Sequence, residues 1–327
     1  MYIMLPNLMH RERKYARRLQ TFKNQLELQS MVWPGIIFLF IFCYIPMYGI
    51  IISFQDFSLF SLNSSSNIFS AYMNSPWVGF KHFKEFFTDP YFLITLRNTL
   101  GINVLGLIIG FPFPVIFALL LNEIRNLKFK KFVQTVTYLP HFVSWVIFGG
   151  LIYTMMATDQ NGVINVFLKS MGLIEKPVEF LANPDYFWAI VVISSVVKGF
   201  GFNSILYIAA IAGVDQEVYD AAEIDGCGRF AKMWYITIPA IMGTVSVMFI
   251  FSISGILNTG FDQIIVLQNS LNLDRSETID TYVYKVGIGQ MRYSYSAAVG
   301  LAKSVVATLL LFGANYTTKK LTEKSLF

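Results

Sequence analysis

Charge is scarce in this sequence. Asp, Glu, Lys and Arg together make up 14% of its 327 residues, against about 25% in a typical soluble domain. Hydrophobic residues reach 55%. That balance excludes an ordinary water-soluble domain and fits a chain solvated largely by lipid. Cysteine is nearly missing. Cys43 lies in an apolar run and Cys227 in a polar loop, so no disulfide framework is expected. The three histidines, His10, His82 and His141, stand far apart, and no H-E-x-x-H or cysteine pair at metal spacing occurs. His141 reads as a packing or hydrogen-bonding residue, and no metal site is expected. There is no G-x-x-x-x-G-K-[ST], so nothing here cradles nucleotide phosphates. The chain is therefore expected to be non-catalytic and to bind no cofactor itself.

Long apolar runs fill the space that charge leaves. A helix needs about 20 apolar residues to cross the hydrocarbon core. Six runs qualify, at 31–53, 98–121, 132–156, 186–208, 236–257 and 294–317. The fold class expected is an all-α polytopic membrane protein with about six transmembrane helices. The first run is no cleavable leader, because some thirty residues with six basic groups precede it. Proline interrupts several runs. Pro46 falls within the first, Pro112 and Pro114 are expected to break the second, and Pro140 the start of the third. Kinked spans are ordinary in membranes, and they also suit a cavity that opens and closes. Gly106 and Gly110 have the spacing of a close helix contact.

The net charge of +5 does not point to nucleic acid, because the basic residues flank apolar runs. With the N-terminus inside, the cytoplasmic segments hold 15 Lys and Arg and the outer loops hold 8. That bias predicts both termini inside. The resulting division is a basic cytoplasmic segment at 1–30, a transmembrane domain at 31–318 and a cytoplasmic tail at 319–327. The first outer loop holds a Ser/Asn-rich stretch, Ser61 to Ser66, and then W-V-G-F-K-H-F-K-E-F-F from Trp77 to Phe87. The aromatic stretch either lies at the headgroups or packs against a partner.

The polar loop at 215–239 differs from the other inner segments in having no basic excess. Asp215 suits an N-cap, with Gln216 and Glu217 in the first turn. Val218, Ala221 and Ala222 follow at i, i+3 and i+4, a flat small face flanked by Glu217, Asp220 and Glu223. Gly226 is a natural stop. A second helix is expected to begin near Arg229, and Pro239 to mark a bend into the fifth span. An acidic inner loop gains nothing from anionic lipid, so a groove on a protein partner suits it better. A solvated connector is the plainer alternative.

The order Asp220-Ala221-Ala222, then Gly226, then Ile236-x-Ile238-Pro239 resembles the E-A-A–x3–G–x9–I–x–L–P signature of binding-protein-dependent ABC importer permeases. Asp replaces Glu at 220 and Ile replaces Leu at 238. Trp77-Val78-Gly79, followed by Phe83 and later Asn98-Thr99, resembles the outer-loop pattern of sugar permeases, and Thr137 to Phe142, Phe261-Asp262-Gln263 and Gly300 to Ser304 are similar to the polysaccharide-permease branch often named after LplB. The resemblance implies a bacterial cell (inner) membrane location and import of oligosaccharides or polysaccharide fragments, acidic ones such as alginate or pectin fragments included. It implies a second homologous permease subunit, a cytosolic ATPase dimer carrying ATP and Mg, and an extracellular or periplasmic sugar-binding protein. It also implies that Val218, Asp220, Ala221, Ala222, Glu223, Asp225, Gly226 and Pro239 dock the ATPase.

Lys198 and Lys303 are the two charges inside predicted spans, and neither has an evident acidic partner at its own depth. They either line the path and attract an acidic sugar, or bond helix carbonyls, snorkel, or pair with the partner permease. Asn203, Tyr207, Asn258 and Gln263 are polar groups in or near the fourth and fifth spans that suit sugar hydroxyls or serve as glue between helices. A secondary transporter is the first rival, but no intramembrane acid is evident to bind a coupling ion. A membrane-embedded glycan-processing enzyme is the second, but it would need a carboxylate or metal cluster at the membrane face.

Overall fold

The computed structural model describes residues 25–58 and 72–322. The basic cluster from Arg11 to Lys23, the Ser61 to Ser66 stretch and the last residues of the tail lie outside the described residues. What is described is helical, with one isolated bridge between Gln55 and Trp77 and no strand.

Among the described residues, five helices are long and apolar enough to cross a membrane: Leu28–Phe54, Phe92–Asn122, Pro184–Ala212, Arg229–Ser254 and Tyr293–Lys320. They are spans 1, 2, 4, 5 and 6. The expected third span is not one helix. Leu127–Phe142 and Trp145–Met155 meet at 100°. The cause is local. Pro140 sits in a tight turn, Leu139–Phe142, and Ser144 starts a new helix by accepting the Ile147 N–H on its hydroxyl.

The other prolines do not break their spans. Pro46, Pro112 and Pro239 each stand two residues beyond a wide π turn, at Phe40–Tyr44, Gly106–Gly110 and Met233–Thr237. A proline lacks an N–H and its ring crowds the carbonyl four residues back. A wider preceding turn removes both problems and lets the helix continue. The expected break in span 2 and bend at Pro239 are thus replaced by continuous, locally widened helices.

Span 4 is the hub. Phe187, Ile190 and Val191 pack with Ile102 of span 2, Ile152 of the elbow and Ile264 and Leu267 beyond span 5. Nearer its C-terminal end, Tyr207 and Ile211 pack with Ala118, Leu119 and Ile241. Lipid offers no hydrophobic gain for such packing, so small residues and polar bonds carry it. A methyl on Gly101 would enter the Trp188 ring, and one on Gly201 would meet the Thr137 carbonyl. Of the Gly106 and Gly110 pair, only Gly110 is close to a neighbour: a methyl there would lie 3.3 Å from Val196.

At the end of the bundle opposite the 215–239 loop, Asn98 of span 2 donates at 2.9 Å to the carbonyls of Asp274 and Glu277. The helix Lys81–Thr88 buries Phe86 with Tyr295 and Val299 of span 6, while Trp77, Phe80 and Phe87 stay exposed. It therefore packs on one face and presents aromatics on the other. Span 1 differs from all of these: no residue in its most apolar stretch is buried.

Candidate functional site: a capped polar helix and a cavity among the spans

The polar loop folds into a helix, Gln216–Ile224. Asp215 caps it by accepting the Glu217 N–H at 2.9 Å. Its C-terminal end is a Schellman closure. Gly226 has φ +78°, the Cys227 N–H donates to the Ala222 carbonyl at 2.9 Å, and the Gly226 N–H to Glu223 at 3.1 Å. Two side chains fasten the helix to span 5. The Tyr219 hydroxyl lies 2.8 Å from Thr237 Oγ1, and Lys232 Nζ lies 2.8 Å from Glu223 Oε2. The hydrogen bond from Lys232 holds the Glu223 carboxyl below its ordinary range.

This fastening decides which face looks out. Ala222 is buried beside Tyr219, while Val218, Asp220, Ala221, Glu223 and Asp225 are exposed. The small face expected from spacing is therefore split. Ile224, at 88% exposed, and Phe230, at 79%, add an outward apolar surface absent from the sequence expectation. Their only sequence signal is an apolar side chain inside a charged loop. Pro239 is exposed and lies inside the continuous span 5 helix.

A cavity of about 410 Å³ opens among spans 2, 4 and 5, within the usual ~300–1,000 Å³ of small-molecule sites. Asn203, Tyr207 and Gln263 line it, together with Asn103, Ser195 and Ser252. So do Gly106 and Gly110 of the π turn. Gln263 is committed to the protein. Its Nε2 donates to the Val191 carbonyl at 2.7 Å and lies 2.9 Å from Ser194 Oγ, and its Oε1 accepts from Ser195 at 2.7 Å. It shapes the wall, while Asn203 and Tyr207 face the space.

The other three path candidates lie elsewhere. Lys198 Nζ donates to the His141 carbonyl at 2.8 Å and sits 5.1 Å from the Trp145 ring centre. It thus grips both arms of the elbow, while His141 stacks on Phe202 at 3.8 Å. Asn258 and Lys303 line a separate cavity of about 250 Å³. Lys303 is not without an acid: it pairs with Asp280 of the loop helix Ile279–Tyr284. The partner comes from a loop segment that packs against span 6, which spacing along the chain does not reveal.

An all-helical bundle of membrane length around a polar-lined cavity, with a capped helix standing off one end, is the architecture of a transport permease. Residues 91–323 match the family of binding-protein-dependent transport system inner membrane components, and the chain belongs to that family. It is 45% identical over 305 residues to protein LplB of Bacillus subtilis, covering 93% of this chain and 92% of that one. It is 40% identical over 317 residues to the polygalacturonan/rhamnogalacturonan transport system permease protein YteP of Bacillus subtilis, covering 97% and 95%. The fold matches the crystal structure of a bacterial ABC transporter involved in the import of the acidic polysaccharide alginate. The TM-score is 0.81 at 34% identity, over 94% of this chain and 99% of that one.

Proposed function

We propose that this chain is the membrane-spanning subunit of an ATP-driven importer of oligosaccharides or polysaccharide fragments, with uronate-bearing fragments among them. One observation carries the reading. The docking helix is joined to span 5 through only the four residues Asp225 to Gly228 and is bonded to it at Thr237 and Lys232. Met248 and Ser252 of that same span 5 helix line the 410 Å³ cavity. A pull on the docking helix therefore reaches the cavity wall through one continuous helical body. Alternating access follows if a cytosolic ATPase dimer, carrying ATP and Mg, closes and moves that helix. Val218, Asp220, Ala221, Glu223, Asp225 and Gly226 supply the docking surface, with buried Ala222 supporting it from within and exposed Pro239 standing on the adjoining span 5 helix.

The unburied span 1 supports a second homologous permease subunit as its covering partner, with lipid on the remainder. A sugar-binding protein would deliver substrate to the outer face. A similar alginate transporter has been crystallised with an alginate pentasaccharide-bound periplasmic protein (TM-score 0.80, 32% identity). The basic bias of the sequence supports both termini lying in the cytoplasm. The substrate class rests on the relatives and on a cavity whose amide and phenol groups suit sugar hydroxyls and ring faces.

Reconstitution tests this. The chain, its mate permease and the ATPases should co-purify and take up oligosaccharide in vesicles only with ATP. Ala222→Trp should force the docking helix off span 5 and abolish uptake while the membrane bundle stays folded. Uptake by the chain with no ATPase present would overturn the reading.

A further inference from the structure

The break in the helix at residues 255–260, after span 5, separates two cavities. Gly255, Ile256 and Gly260 line the 410 Å³ cavity, and Asn258 lines the 250 Å³ one. Its own bonds are short-range turns, such as Asn258 N–H to the Gly255 carbonyl at 2.7 Å. One carboxylate and one hydroxyl, both from the helix Ile279–Tyr284 and its N-cap, tie Thr259 of this segment to the rest of the bundle. Asp280 Oδ2 accepts the Thr259 N–H at 3.1 Å and the Thr259 hydroxyl at 3.0 Å. Thr259 is buried, and its hydroxyl also lies 3.2 Å from that of Thr278, the N-cap of the helix bearing Asp280. The other oxygen, Oδ1, is paired with Lys303 of span 6. The two charged side chains are only 14% and 24% exposed, so neither ion is well solvated without the other.

We propose that Asp280 and Lys303 are positioning residues for the transport path. Asp280 holds the 255–260 wall through Thr259, and Lys303 neutralises Asp280 so that a carboxylate can stay there. The pair reads charge from neither sugar nor nucleotide. It sets the shape of the cavity wall from behind. This rests on the cavity being the sugar path.

The test uses the assembled importer in lipid nanodiscs and vesicles. Two readouts are taken: hydrogen exchange at the Thr259 amide, and KM against kcat for oligosaccharide uptake. Lys303→Met strands the carboxylate and Asp280→Asn strands the ammonium. Each should speed Thr259 exchange at least about tenfold and raise KM. In Lys303→Met/Asp280→Asn the amide oxygen still accepts from Thr259 and no charge is left over, so exchange and KM should return to within about threefold of wild type. Thr259→Val keeps the charges balanced and removes only the hydroxyl; it should raise KM with normal assembly. A double variant no better than the worse single variant overturns the proposal. So does Thr259 exchange unchanged in Lys303→Met. Exchange that rises while KM stays fixed overturns the cavity as the sugar path, and the positioning role with it.

Discussion

Gly226 is where the docking segment is most open to test. It holds φ +78°, and nothing lies within 4 Å of where a Cβ would stand. An alanine there meets no neighbour, so its cost is purely that of the backbone. A left-handed L residue costs about 1–2 kcal/mol, which shifts the ratio of closed to open joint by roughly five- to thirtyfold. The closure to be lost is defined by the Cys227 N–H on Ala222 and the Gly226 N–H on Glu223. Hydrogen exchange at the Cys227 amide should therefore speed about five- to thirtyfold in Gly226→Ala. Asparagine tolerates the left-handed region better, so Gly226→Asn should fall between alanine and wild type. Amides in the middle of span 5 should not change, because the joint is exposed and local. Sugar uptake by the assembled importer should fall in the same order, Gly, Asn, Ala. Exchange in Gly226→Ala equal to wild type would refute the left-handed closure. Fast exchange with undiminished uptake would refute the joint as the transmitting element.

Lys198→Met should slow uptake of acidic and neutral oligosaccharides by equal factors, because its ammonium is spent on the His141 carbonyl and the Trp145 face. A loss confined to acidic sugars would return Lys198 to the path. Gly201→Ala should lower the thermal midpoint, because its methyl meets the Thr137 backbone and such overpacking costs about 1–3 kcal/mol. Gly313→Ala, with open space around it, serves as the unaffected control. Tyr282, in the loop helix between spans 5 and 6, has its pKa pushed up to about 12 by burial and by its hydrogen bond to Asp89. Its folded value lies above its unfolded one, so its contribution is whole below about pH 10. That contribution is lost as pH rises through about 12. Tyr282→Phe should make unfolding less steep across that window. The Glu223–Lys232 pair works in the opposite sense. Its contribution is present at neutral pH and lost as pH falls through the lowered Glu223 value, so Lys232→Met should reduce acid sensitivity of exchange at Cys227.

The spans were legible because membrane thickness is a one-dimensional requirement. An apolar run long enough to cross is visible in the letters themselves, and five of the six runs became helices containing or overlapping them. What proline does is not one-dimensional. The same missing N–H gives a continuous helix at Pro112, where a π turn precedes it. At Pro140 it gives a 100° elbow, where Ser144 stands ready to cap a new helix. Only the neighbouring turn distinguishes the two. The docking helix shows the same limit. Periodicity places Val218, Ala221 and Ala222 near one another, but the Tyr219–Thr237 bond turns Ala222 inward and leaves Ile224 outside. Lys303 is the clearest case. Its run holds no acid, and a reading by depth along the chain leaves it unpaired. Asp280 reaches it because a loop helix packs against the last span and delivers its carboxylate between Thr259 and Lys303. An intramembrane charge is therefore better explained by asking which loop could fold back to meet it. Here that question leads from an apparently solitary lysine to the wall of the cavity.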